Sequence, residues 1–210
     1  MQTRTGKIAA FTIAMGAILG ITAFCPSGDN LAQAEELDVM ARQAKKPLAR
    51  VAGAPQLTDE AIAYLYLQTN LFEVEVAELG KTAGASDEVK QLAQMVANDH
   101  RGVVKSFEEL LHMNHVKPTE TPASTAAIAQ HEAVIADLKA RKGADFDKAY
   151  ILFETRNHRS VIKALRKTLI PAVRNQAIGA HFRSRLPAFE HHLAMTLEAA
   201  QKLGIPMSMQ

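Results

Sequence analysis

The sequence predicts an all-α domain of four long helices and one short one, and three observations carry that expectation. From Thr58 onward apolar residues recur every three or four positions, the period of a helix and not the alternation of a strand. Hydroxyl and acidic residues stand just ahead of these stretches, where helix N-termini favour them. Glycines and prolines punctuate the gaps between them.

The first helix starts at Thr58, a good N-cap, with Asp59 and Glu60 in the first turn. Ile62, Leu65, Phe72, Val76 and Leu79 form its apolar stripe, and Gly84 favours its C-terminus. Ser86, Asp87 and Glu88 open the second, whose stripe is Val89, Leu92, Val96, Val103, Phe107 and Leu110. So short a connection makes the two antiparallel neighbours. Pro118 and Pro122 break the pattern, since neither ring fits inside a helix. A shorter amphipathic helix, about Ser124 to Arg141, precedes Gly143.

The third long helix is expected from about Asp145 to Leu169, with Phe146, Tyr150, Phe153, Ile162 and Leu165 buried and Pro171 ending it. The fourth covers about Asn175 to Leu203, with Ile178, Phe182, Leu186, Phe189, Leu193 and Leu197 on one face. Pro187 should interrupt it, bending the axis or starting a new helix, because it removes a backbone donor. Together these elements make one bundle domain over residues 57–204, followed by a tail, 205–210. No glycine-rich phosphate loop, nucleophile elbow or internal repeat appears.

The region ahead of the domain reads as a leader and a tether. Arg4 and Lys7 precede an uncharged run from Ile8 to Phe24, and Ala32-Gln33-Ala34 supplies an A-x-A cleavage site, so residues 1–34 are expected to be a signal peptide. The run is slightly short for a membrane span. Cys25 offers a competing lipidation site, but Phe24 is bulky where such sites want a small residue. Cleavage removes Arg4, Lys7, Asp29 and Cys25, which takes the formal net charge from +2 to +1 and leaves no thiol. A nearly neutral chain argues against a nucleic-acid partner. A cysteine-free chain suits the periplasm or cell envelope. Residues 35–56 carry Arg42, Lys45, Lys46, Pro47, Arg50 and Pro55 without apolar periodicity, and read as a flexible basic linker suited to an envelope protein or an anionic surface.

The chemistry centres on His100, His158 and His192, one on the apolar stripe of each of three helices. A buried imidazole needs a hydrogen-bond partner or a metal, because an unpaired one costs about 1–3 kcal/mol. A helical rise of 1.5 Å per residue puts Glu73 and His100 roughly 15 and 21 Å from one end of the first helix pair, and His158 and His192 also fall mid-helix. Glu73 sits at the edge of its stripe. Glu154 precedes His158 by four residues and shares its face. These five residues form a candidate metal set for zinc or ferrous iron, which accept imidazole and carboxylate. The competing reading makes each histidine an ordinary core residue bonded to Glu73, Glu154 or a tyrosine. Asp99 and His191 are expected to point elsewhere. His112, His115, His131 and His181 look peripheral, and Met95, Met113 and Met195 read as core filler.

Four ordered stretches carry a family resemblance: Phe72 to Leu79 (FEVEVAEL), Met95 to His100 (MVANDH), Asp145 to Tyr150 (DFDKAY) leading to His158, and Leu186-Pro187 with His192-Leu193. They resemble the exported family called domain of unknown function 4142, whose members look like ferritin-like four-helix proteins and are often labelled predicted outer membrane proteins. The resemblance implies a ferritin-like bundle with Glu73, His100, His158 and His192 at polar inward positions. Asn157 departs from the family's acidic tendency before the histidine. None of His100, His158 and His192 stands in a Glu-x-x-His motif, the one such spacing, Glu109 to His112, lying near the end of the second helix, so iron-storage activity is poorly supported. Two functions remain in contention, a periplasmic metal-binding bundle and a non-catalytic envelope stress or interaction protein with structural histidines.

Overall fold

A computed structural model of the chain describes residues 57–207. The expected leader and tether, and residues 208–210 of the tail, lie outside the described residues. The described chain is all-helical, with no strand, and none of its helices is long and apolar enough to cross a membrane. Its elements are α1 (Asp59–Ala83), α2 (Asp87–Met113), α3 (Pro122–Ala140), α4 (Gly143–Ala164) and α5 (Gln176–Lys202). A π-helical turn, Leu165–Leu169, and a last α-turn, Ile170–Ala172, extend α4.

The helix starts follow the capping chemistry. Thr58 accepts from the Ala61 N–H, Ser86 from that of Val89, and Asn175 from those of Ala177 and Ile178. Thr121 and Ser124 form a reciprocal capping box around Pro122, which occupies the first turn where a missing N–H costs nothing. Two carboxylates then tie the connections down. Asp147 accepts from the Ala85 and Ser86 amides at 2.8 Å each, and Asp59 from those of Arg174 and Asn175 at 2.8 Å each. Each satisfies backbone donors that a tight turn leaves orphaned.

Three details differ from expectation. Gly84 has φ −54°, so left-handed backbone is not why it ends α1. A Cβ there would lie 2.5 Å from the Gly80 carbonyl and 2.8 Å from Val89, so the turn is too close for a side chain. The helix does not stop at Pro171 but runs to Ala172, because the π-turn bonds Ile170 back to Leu165 and widens the coil just where the ring must fit. Pro187 neither interrupts nor restarts α5, which is continuous from Gln176 to Lys202. Pro187, Arg183 and Ser184 are exposed, so water can take up the carbonyl that the ring deprives of a donor.

The long helices pack α1 on α2, α2 on α5 and α5 on α4, and α3 lies against α1 and α4. Their cores form two apolar blocks. One contains Ile62, Tyr66, Val103, Phe107, Ile162, Leu165, Phe182 and Phe189. The other contains Val76, Ala77, Val89, Val96, Phe146, Tyr150, Ile151 and Ala200. Helices α1 and α5 run from the first block to the second, whereas α2 and α4 run from the second to the first. The chain therefore has to return between α2 and α4, and α3 makes that crossing, with Ala127 in the first block and Ile135 and Leu138 in the second.

Gly80 sets how closely the second block closes. A Cβ on it would lie 2.6 Å from the Tyr150 ring and 2.7 Å from Ala93. Only glycine lets α1 approach both α2 and α4 at this point.

Candidate metal centre

Between the two apolar blocks each long helix contributes polar side chains at one level. They are Asn70 and Glu73 from α1, His100 from α2, Glu154, Thr155 and His158 from α4, and His192 and Thr196 from α5, none more than 1 % exposed. Thr155 and Thr196 satisfy themselves by bonding back to the carbonyls of Ile151 and His192. The remaining groups have to find partners across the helices.

The hydrogen bonds define the tautomer of every imidazole. Asn70 donates its Nδ2 to the Tyr66 carbonyl at 2.7 Å, which leaves its Oδ1 facing His100 Nδ1 at 2.9 Å. His100 therefore carries its proton on Nδ1, and its buried Nε2 has no partner. His158 Nδ1 lies 3.0 Å from the Glu154 carbonyl and 3.2 Å from Glu154 Oε2, both acceptors, so its proton is also on Nδ1. His192 Nε2 lies 2.9 Å from Asp99 Oδ2 and donates to it. Three second nitrogens are thus anchored on a side-chain amide, a backbone carbonyl and a carboxylate, the partners that orient metal-bound histidine.

The nitrogens left over are lone pairs pointing inward. His158 Nε2 and His192 Nδ1 face each other at 3.3 Å, each on the side of its ring away from the oxygen acceptor. One nitrogen from each of the three rings lies within 4.8 Å of the other two. Tetrahedral ligands at about 2.0–2.1 Å from zinc stand about 3.3–3.4 Å apart. Burial holds the imidazolium form of His100 well below the ordinary histidine range, helped by His158 and His192, and burial also lowers His192. Both rings are therefore neutral, as ligation requires.

A second group adjoins the first through His158: Glu73, Glu154 and His158 also offer atoms within 4.8 Å of one another. Asn157 donates to Glu73 Oε1, while Glu73 Oε2 and both Glu154 carboxylate oxygens make no well-formed hydrogen bond. Burial raises the Glu73 pKa well above the ordinary carboxylate range, and the neighbouring Glu154 carboxylate raises it further. Burial does the same to the Tyr150 phenol, with Glu154 and Glu73 adding to it. Two carboxylates in a dry layer facing one imidazole are costly unless a proton or a cation sits among them.

The five residues singled out by sequence thus come together as two triads sharing His158, with Glu154 supporting its ring. Four residues are placed otherwise than expected. Asp99 does not point away but holds His192, because a carboxylate on the neighbouring face of α2 reaches α5 when the helices pack this closely. His181 and His131 are buried, at 7 % and 8 % exposure, not peripheral. His131 stacks on Phe72 with centroids 3.9 Å apart and bonds to Glu75 Oε2 at 3.0 Å, because α3 is pressed onto α1. His181 packs beside Tyr66 and Phe107. Met113 is 71 % exposed and fills no core, while Met95 and Met195 pack against the second block. Asn70 and Asn157 were not singled out as partners, although Asn70, mid-stripe and three residues before Glu73, carried a readable signal.

Fold and site together define an all-helical domain with a buried histidine and glutamate layer. The profile of a domain of unknown function, DUF4142, matches residues 43–199, and the chain belongs to that family. No curated protein and no solved structure matches the sequence.

Proposed function

We propose that this domain binds one divalent first-row metal ion, zinc or ferrous iron, on His100, His158 and His192, with the Glu73 and Glu154 carboxylates beside it. The observation that carries the reading is the hydrogen-bond geometry: three imidazoles each give one ring nitrogen to an oxygen acceptor and gather within 4.8 Å of one another through a ring nitrogen. Ordinary core histidines would pair donor with acceptor. Bare nitrogens turned inward at ligand spacing instead gain from a cation. Zinc and ferrous iron suit a donor set of three imidazoles with carboxylate near by, and three protein ligands leave a coordination position open.

The reading includes two further parts. A ferritin-like bundle is supported by the antiparallel pairs and the single long crossover between α2 and α4, an arrangement ferritin-like folds use. Export is supported by the Arg4, Lys7 and Ala32-Gln33-Ala34 pattern, and a mature protein whose intact mass begins at Glu35 is its test.

Elemental analysis of the purified chain after equilibration with zinc or ferrous iron and removal of loose ions tests the metal reading. About one equivalent is expected, from the single convergence of nitrogens. Asp99→Asn should keep the ion but weaken it by about 10- to 100-fold, as loss of a ring-orienting carboxylate does. Wild-type protein that retains no ion would leave the layer a purely structural one, as in an envelope interaction protein.

A further inference from the structure

A metal site closed on every side poses the question of how an ion reaches it. None of His100, His158, His192 and Glu154 is more than 1 % exposed. Asp99 is the surface-facing contact of the layer on one side, its side chain half exposed. On that side the His192 ring, itself 1 % exposed, stands between the carboxylate and the other two imidazoles.

The opposite side is built differently. Helices α1, α3 and α4 enclose a cavity of about 40 Å³, walled by Leu65, Phe72, Ala127, Val134 and Phe153 and carrying Gln68, Thr69, Ser124, Gln130, His131 and Asn157 as further polar groups. That is room for about three water-sized molecules, at roughly 10–15 Å³ each. Glu73 is part of its wall. The same carboxylate lies within 4.8 Å of Glu154 and His158. Asn157 holds one of its oxygens and the other has no partner. Glu73 therefore belongs both to the cavity and to the layer.

We propose, resting on the metal reading above, that this cavity is the port through which a partly dehydrated divalent cation enters. Glu73 is the transfer ligand, taking the ion from the cavity with its unpaired oxygen and passing it to the imidazoles. The chemistry fits each stage: amide oxygens and a carboxylate suit an ion still carrying water, and imidazoles suit it once stripped. The apolar wall and small volume exclude chelated or larger species. The crossover helix α3 roofs the port, which gives that segment a role beyond returning the chain.

The test separates rate from equilibrium. Uptake of zinc or cobalt(II) ions by metal-free full chain is followed by rapid mixing, and stoichiometry and affinity are measured at equilibrium. Two plugs differ in depth: Ala127→Leu inside the cavity, and Gln130→Trp at its partly exposed rim, where folding is least at risk. Met95→Trp, on the Asp99 side, is the control. The plugs should slow uptake roughly tenfold or more, since the ion must then wait for local opening, with affinity changed little. Wild-type rates in plugged variants that bind a full equivalent would overturn the port and leave the metal site standing. Slowing by Met95→Trp alone would move the route to the other side and overturn it equally. Wild-type chain that binds no ion at equilibrium removes the metal reading, and the port with it.

Discussion

The two apolar blocks and the layer between them hold the same four helices together by opposite means. In the first block the Tyr66, Phe107 and Phe182 rings interlock with centroids 4.5 to 5.9 Å apart, favourable contacts that outweigh the unpartnered Tyr66 hydroxyl and His181 Nε2 beside them. In the layer, Glu73, Glu154 and His100 are dry and leave polar atoms unpartnered, which costs free energy in the isolated chain. The difference teaches that the blocks carry the fold, while the layer carries a cost that the proposed metal ion would offset.

The largest effect should come from the block. Phe107→Ala removes a ring with no exposed surface and should cost about 3–5 kcal/mol, read by denaturant unfolding, without changing metal stoichiometry. If metal binding fell as steeply as stability, blocks and layer would not be separable. His158→Ala is the converse: as the residue common to both triads, its loss should weaken metal affinity by roughly 100-fold or more. Metal-free stability should change far less than the bound form's, since the substitution also removes a costly polar group.

Gly80→Ala sharpens the contrast from within the second block. The new methyl must push against Tyr150 and Ala93, and overpacking of this kind costs about 1–3 kcal/mol. Helicity should survive while the melting temperature falls. An unchanged melting temperature would mean that α1 can back away from α4 without cost.

The smallest effect concerns a histidine that the layer does not use. Burial depresses His181 from 6.5 to about 4, with the Arg185 charge adding to it, and its Nε2 has no partner. As pH falls below 6.5 the unfolded chain takes up this proton first, so stability present above 6.5 is lost between 6.5 and about 4. His181→Phe should flatten that part of the stability-against-pH curve and leave neutral-pH stability equal or higher. A slope as steep as wild type would assign the acid sensitivity to other groups.

Much of this architecture is visible in the one-dimensional pattern, because helices advertise themselves locally. Thr58, Ser86 and Asn175 cap α1, α2 and α5 as their side chains suggest, and the three-four spacing marks the buried faces. The four long helices interrupt their apolar stripes at mid-length, with Glu73, His100, Glu154 with His158, and His192. That shared interruption is why the site is legible without coordinates. Proline is the local signal that misleads, since the penalty at Pro187 depends on whether water reaches the freed carbonyl, and the π-turn before Pro171 is a response to packing.

Sequence alone determined the helical class, the capped starts of α1, α2 and α5 and the five ionisable residues of the layer, because each follows from interactions within about one helical turn. Only the tertiary structure decided the tautomers, for these depend on oxygens brought from other helices or from the preceding turn: Asn70 for His100, Glu154 for His158 and Asp99 for His192. It also decided that α3 roofs a cavity ending at Glu73 and that His131 and His181 are buried. The physical reason is range: periodicity says which side of a helix is wet, whereas the orientations of the His100 and His192 rings are set by partners 30 and 93 residues away in the chain.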